Sequence, residues 1–203
     1  RAMLDAADKA GRFVTVYHNR RLDPWFLAAR AAIDDGLLGR VIELNTGINY
    51  APKPPRWRAF KKPSGGLQFD WGAHLVDYLL NLMPEDEVET VSGELIKLPQ
   101  TPDDRVEDHA AVHIRFQSGA VGHVVSSALA TVNPDRFRLV GTRGTLVDTW
   151  SWSDDAHAKV YLRLKNDTVA EMTVPYPKQT HQAYYDNIAS HLAGETDLLV
   201  TGE

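Results

Sequence analysis

The spacing of apolar positions divides the chain into a few helices and a longer series of strands. Met3, Leu4, Ala7 and Ala10 recur at helical spacing and Gly11 follows where a C-terminal glycine belongs, so Arg1 to Gly11 is predicted as a helix. A short β-rich run, Phe13 to Tyr17, comes next and is predicted as a strand. A lone helix and strand cannot cover both their faces, so this stretch reads as part of a larger α/β arrangement. Trp25, Phe26, Ala29, Ile33 and Leu37 lie on or near one face of a second helix, with Asp23 as its predicted cap, Pro24 in its first turn and Gly36 at its end. Val41 to Tyr50 alternates in part and predicts a strand. Further helices are expected from Gly66 to Met83 and from about His181 to Leu192, the latter carrying Tyr184, Tyr185, Ile188 and Leu192.

Beyond Met83 the period changes to two. Val88 to Leu98 reads as a strand, and three hairpins follow. His109–Phe116 and Val121–Leu129 flank Ser118-Gly119. Phe137–Val140 and Thr145–Thr149 flank the Gly141 to Gly144 turn, and Val160–Leu164 and Val169–Val174 flank Asn166-Asp167. Successive hairpins predict an α+β fold, a largely antiparallel open sheet with helices on one face. Along Ala110 to Phe116 and Ala120 to Leu129, apolar residues read on both alternating sets: Val112 with Ala110, Ile114 and Phe116, and Val121 and Val125 with Val124. A sheet apolar on both sides is expected to bury its second face, here by self-association. The loop from Ala51 to Gly65 is rich in proline and basic residues, and is either a functional loop or a solvated excursion.

Composition narrows the function classes. The chain has 203 residues, room for one large domain or a domain with a fragment, and its 43% hydrophobic and 24% charged residues are ordinary for a globular protein. The net charge of -5, with no basic run, gives no expectation of nucleic-acid binding. There is no cysteine, which excludes disulfide and thiolate chemistry and suits a reducing, cytoplasmic setting. No apolar run approaches the roughly 20 residues of a membrane span, so no membrane association is expected.

Candidate chemistry gathers in Ser64 to Asp77. Read as a helix, this region sets Leu67, Trp71, Leu75, Tyr78 and Leu82 on one stripe and Asp70, His74, Asp77 and Asn81 on a polar stripe beside it. Asp70 and His74, four apart, are predicted neighbours. A carboxylate beside an imidazole raises its pKa and can poise it for proton exchange near neutral pH, although the same spacing also occurs in ordinary solvated pairs. Gly65-Gly66 permits close approach of a ligand or another backbone. Gly72, mid-helix at a cost of roughly 1 kcal/mol, points to tight packing by a ligand or by the sheet. His109 and His113 share a strand face without enough convergent partners for zinc, so no metal site is expected.

These residues give the chain a resemblance to the Gfo/Idh/MocA oxidoreductases, whose C-terminal domain carries a glycine pair and then Asp-x-Gly-x-His-x-x-Asp. Gly65-Gly66, Asp70, Gly72, His74 and Asp77 match that pattern position by position. His18-Asn19-Arg20-Arg21-Leu22-Asp23-Pro24, the Gly36 to Gly39 turn, Trp57-Arg58, Glu107-Asp108 and Gly141-x-x-Gly144-Thr145 are similar to further family segments in the same order. The resemblance implies that residues 1–18 are the remnant of a dinucleotide-binding domain and 19–203 a substrate-binding and oligomerisation domain, truncated at both ends and catalytically silent by itself. It implies NAD or NADP as cofactor, a sugar or cyclitol substrate, His74 as acid/base and Asp70 as the residue that orients the substrate hydroxyl. Arg20, Trp57, Arg58, Asp77 and His181 would then meet substrate, and Asn19 and Arg20 would border the cofactor. A glycosidase with a bound nicotinamide, and a non-catalytic regulator that senses dinucleotide, are the alternative family activities. Relatives are expected to bury the open sheet face against a second subunit.

Overall fold

The alternating pattern of the second half resolves into one sheet, and two of the helices of the first half pack on one face of it. The computed structural model describes residues 1–50, 54–151, 153, 156–178 and 181–202; residues 51–53 of the proline-rich loop lie outside the described residues. In chain order come α1 (Ala2–Lys9), a 3-10 turn (Asn19–Leu22), α2 (Pro24–Asp34), β1 (Val41–Asn49), a 3-10 turn (Arg56–Ala59), α3 (Lys61–Ser64), a 3-10 turn (Leu67–Phe69) and α4 (Trp71–Leu82). Then follow β2 (Val88–Ile96), β3 (His109–Phe116), β4 (Val121–Ser127), β5 (Phe137–Gly141), β6 (Gly144–Asp148), β7 (His157–Arg163), β8 (Val169–Pro175) and α5 (Gln182–Leu192). Among the described residues the strands form one sheet in the order β2-β3-β4-β1-β5-β6-β7-β8. Neighbours run antiparallel except β1 and β4, which are parallel, so the α+β expectation holds. Among the described residues no helix is long and apolar enough to cross a membrane.

The core lies between the sheet and the pair α2 and α4. Leu75, Leu79 and Leu82 of α4 are at most 1% exposed and meet Trp25, Phe26, Ala29 and Ala32 of α2 over Leu44, Phe116, Val124 and Leu139. Burying each leucine contributes about 1.5–3 kcal/mol, which fixes the rotation of α4 and thereby the direction of its polar side. Phe26 stacks on Tyr78 with ring centroids 5.2 Å apart, locking the two helices together.

Several expectations are corrected. Phe13 to Tyr17 forms no strand, because among the described residues no strand edge lies beside it to take its main-chain groups. Its side chains anchor it instead: the Thr15 hydroxyl donates to the carbonyl of Val200 (2.7 Å), and Phe13 and Tyr17 meet His191 and Tyr184 edge-on. Asp23 sits at the N-cap of α2 but makes no capping hydrogen bond, because its carboxylate turns inward. The expected apolar second sheet face is also mixed. Residues two apart on a strand point the same way, so Val112 faces the helices together with Ala110, Ile114 and Phe116. The opposite face of β3 and β4 presents Ala111, His113 and Arg115 beside Val121, His123 and Val125.

Two of the family-like segments meet each other in the scaffold. The Gly36 to Gly39 turn lies against the β5–β6 turn, where the Arg143 N–H donates to Leu38 (2.9 Å) and the Thr142 N–H to Arg40 (2.9 Å). A Cβ on Gly141 would run into the backbone carbonyl of Leu38, which cannot yield without moving the turn. Gly141→Ala is therefore expected to lower stability by about 1–3 kcal/mol, the usual cost of overpacking. Urea unfolding of the variant beside the unsubstituted chain checks this, and an unchanged midpoint would remove the glycine's packing role.

Candidate active site

The helix predicted from Gly66 is broken at its start, and the break shapes the site. Gly65 and Gly66 have φ of 83° and 132°, in the region open to glycine, and the chain then makes the 3-10 turn before α4 begins at Trp71. The cause is Glu107, whose carboxylate accepts the Leu67 N–H (2.7 Å) and would lie 2.7 Å from a Cβ on Gly66. The close approach that the glycine pair permits is thus to a buried carboxylate. Asp70 consequently occupies the N-cap of α4 and does not share the helix with His74, correcting the expected single helix. Gly72 stands in the first turn of α4, where a Cβ would run into the Gln68 side chain, so the close neighbour on this chain is that side chain and not the sheet.

Asp70 makes no capping bond. It accepts from Nε of Arg58 (3.3 Å), whose guanidinium lies 4.6 Å from the ring centre of Trp57, itself 51% exposed. Tyr50, not singled out in the sequence, joins this group: its hydroxyl accepts the Trp71 N–H (3.0 Å) and its phenol interacts with Asp70. Burial, then the Asp70 charge, push the Tyr50 phenol above its ordinary range, so it remains protonated. At the end of a strand entering a loop, Tyr50 carried no pattern to distinguish it.

His74 is half-buried one turn into α4. Its ring stands edge-on to His18 (centroids 5.4 Å, 84°) and to Trp71 (6.0 Å), and the Arg20 guanidinium lies 4.4 Å from the Trp71 ring centre. Nδ1 of His74 is buried without a hydrogen-bond partner. Its pKa is lowered from the ordinary 6.5, first by burial and then by the nearby His18 and Arg20, which outweigh the raising effect of Asp77 and Asp23. The expected rise from Asp70 is therefore overturned, since that carboxylate is turned to Arg58.

Asp77 is buried and its carboxylate is gripped by Arg21, with Nη2 donating to Oδ1 (2.6 Å) and Nε to Oδ2 (2.9 Å); Asn81 donates to Oδ1 as well (3.1 Å). His181 bridges the 19–22 turn and α2: Nε2 donates to Asp23 (3.0 Å) while Nδ1 accepts from the Asn19 amide (3.3 Å), a pair of bonds that fixes its tautomer. The structure thus brings Asn19, Arg20, His74, Asp77 and His181 around the start of α2 and the polar side of α4. Asp70, Trp57 and Arg58 form an adjoining group joined to it through Trp71. A concavity of about 610 Å³ between Phe60–Pro63 and Asp103–Asp104 includes none of these residues. Among the described residues no three His, Cys, Asp or Glu side chains are grouped so as to hold a metal ion.

Comparison with known proteins agrees with this architecture. A profile described as the GFO/IDH/MocA C-terminal domain matches residues 26–147. The inositol 2-dehydrogenase of Rhizobium meliloti is 30% identical over 148 residues, covering 72% of this chain and 44% of that protein. The scyllo-inositol 2-dehydrogenase (NADP(+)) of Bacillus subtilis is 24% identical over 223 residues, covering 98% and 60%. An NAD-binding protein from Listeria innocua superposes with a TM-score of 0.84 at 22% identity, over 98% of this chain and 63% of that one, a likeness of fold. The chain spans less than two thirds of the length of these relatives.

The depressed pKa of His74 has a consequence for stability. In the unfolded chain the ring protonates near 6.5 and in the folded chain only at lower pH, so between the two values the unfolded state binds more protons. The contribution is fully present above 6.5 and is lost as pH falls through the folded value. Between about pH 7.5 and pH 5 the unsubstituted chain should lose more stability than His74→Gln, whose side chain does not titrate. Urea midpoints across that range measure the difference, and parallel curves would contradict the depressed pKa.

Proposed function

The chain belongs to the Gfo/Idh/MocA family, and from that premise we propose that it is the substrate-binding part of an NAD(P)-dependent oxidoreductase acting on a secondary alcohol of a sugar or cyclitol. The observation that carries this reading is the environment of His74. The ring is half-buried, has a nitrogen without a partner, and has its pKa lowered by burial and then by His18 and Arg20, so it meets substrate as a neutral proton acceptor. Two relatives are by name inositol dehydrogenases, one of them NADP-dependent, which supports a cyclitol as the first substrate class to test.

Charge matching favours an uncharged substrate. Asp23, Asp70 and Asp77 each face an arginine, Arg20, Arg58 and Arg21, at 3.3, 3.3 and 2.6 Å. No one sign of charge is left in excess by these pairs, and a polyol asks for hydrogen bonds and an aromatic face instead of a counter-ion. Exposed Trp57 with Arg58 supplies such a face and its donors. A bound nicotinamide supplies the acceptor for the hydride leaving the alcohol carbon. The residues present fit such a group: the 19–22 turn carries Asn19 and Arg20 to the Trp71 and His74 end of α4, where they would border it. As the carbonyl forms, His74 takes the hydroxyl proton onto its ring, and Asp70, steadied by Arg58 and Tyr50, orients that hydroxyl. Asp77 and His181 border the site through Arg21 and Asn19.

The test screens both cofactors against sugars and cyclitols in a protein that carries these residues together with a dinucleotide-binding domain. His74→Ala should lower kcat at least about a hundredfold while the fold persists, since the ring lies off the packed side of α4. A change below about threefold would remove His74 as the acid/base. Stoichiometric release of reduced cofactor marks a dehydrogenase. A glycosidase returns its cofactor unchanged, and dinucleotide binding without turnover marks a sensor.

A further inference from the structure

His18 lies outside the residues to which the resemblance gives a role, yet its ring packs on that of His74. It immediately precedes the 19–22 turn, and its ring stands edge-on to that of His74, centroids 5.4 Å apart at 84°. Its Nδ1 lies 3.7 Å from Oδ2 of Asp77, beyond hydrogen-bond reach and with no other hydrogen-bond partner, and Asp77 is held in place by two-pronged contact with Arg21. A line of contacts thus runs from Arg21 through Asp77 and His18 to His74, joining the turn to α4 on its polar side. We propose that His18 is a positioning residue of this site: lodged beside the Arg21-clamped Asp77, it holds its ring edge against His74 and governs the protonation state in which His74 meets substrate.

The geometry gives His18 two effects. Edge-on packing restricts the tilt of the His74 ring, whose Nδ1 has no hydrogen bond to fix it. A second basic ring at this distance also opposes a positive charge on the first. The groups that face His74 are His18, Arg20 and Asp23 from the preceding turn and Asp77 from its own helix; after burial, His18 is the largest influence lowering its pKa. The catalytic meaning of this inference rests on His74 being the acid/base, as proposed above.

Histidine-ring NMR titration of the 203-residue chain tests it without cofactor or substrate. Ring-proton NOEs between His18 and His74 are expected in the unsubstituted chain. In His18→Gln, and in His18→Phe, which keeps an aromatic ring but no base, the midpoint of His74 should rise by more than about 0.3 pH units. In Asp77→Asn it should fall, since a carboxylate that favours the protonated ring is lost. Absent NOEs, or a His74 midpoint that stays or falls in either folded His18 variant, would overturn the role of His18. The two readings fail separately: a His74 dispensable for turnover would end the catalytic reading and leave these shifts in place, whereas unmoved shifts with an essential His74 would end the role of His18 alone.

Discussion

The buried carboxylate of Asp23 is the constraint on which the arrangement depends. At 1% exposure it accepts hydrogen bonds from the Tyr78 hydroxyl of α4 (2.7 Å), from Arg20 of the preceding turn (3.3 Å) and from His181 beside α5 (3.0 Å). Burial, then the Asp23 charge, push the Tyr78 phenol well above its ordinary 10, so it stays a donor, and Trp25 donates to the same hydroxyl (3.2 Å). Hydrogen bonds to a charged group contribute about 1.5–3 kcal/mol each, and a buried carboxylate stripped of its partners is costly. Asp23 is therefore satisfied only when the turn, the start of α2, α4 and α5 converge. That convergence is what carries Asn19, Arg20 and His18 to the polar side of α4.

The periods of two and 3.6 residues made most of the fold legible. The strands β3 to β8 and the helices α2 and α5 fall close to their predicted spans because their apolar positions repeat over several turns or pleats. What escaped depends on contacts between distant residues. Nothing near Gly66 in sequence announces that Glu107 will occupy the space beside it, so the helix was read through a glycine pair that actually breaks it. Asp23 has the composition of a cap, and only the presence of Tyr78 and His181 across the fold turns it inward. The protonation of His74 was read from Asp70 four residues away, whereas burial and His18, 56 positions earlier, decide it. The apolar residues at even positions of β3 share the face toward the helices, so the open face of β3 and β4 is more polar than the run of apolar residues suggests.

The segments that carry the family resemblance divide by what they touch. Gly36 to Gly39 and Gly141 to Thr145 pack on each other away from the candidate site and hold the β5–β6 turn against the end of α2. Glu107 shapes the glycine pair, and its neighbour Asp108 accepts the Leu98 N–H (2.8 Å) and the Thr101 hydroxyl (2.7 Å), tying down the connection from β2 to β3. These are scaffold contacts, each needing a particular residue type for steric or hydrogen-bonding reasons. Of these segments, 18–23, Trp57-Arg58 and the Asp70 to Asp77 stretch furnish the group at His74 and the group adjoining it. A motif shared in sequence is thus divided evenly between building the platform and furnishing it.

That division explains how the site can keep a neutral imidazole among so many charges. The scaffold commits each nearby carboxylate in advance: Asp23 to Tyr78 and His181, Asp70 to Arg58, Asp77 to Arg21. A carboxylate already engaged by an arginine offers little net field to a third group, so the usual raising influence of acids on a histidine is blunted. Burial, His18 and Arg20 then prevail at His74. Were Arg20 or Arg21 an uncharged residue, Asp23 or Asp77 would be freer to favour the imidazolium of His74. The pairing of charges around His74 therefore serves its protonation as much as the stability of the fold.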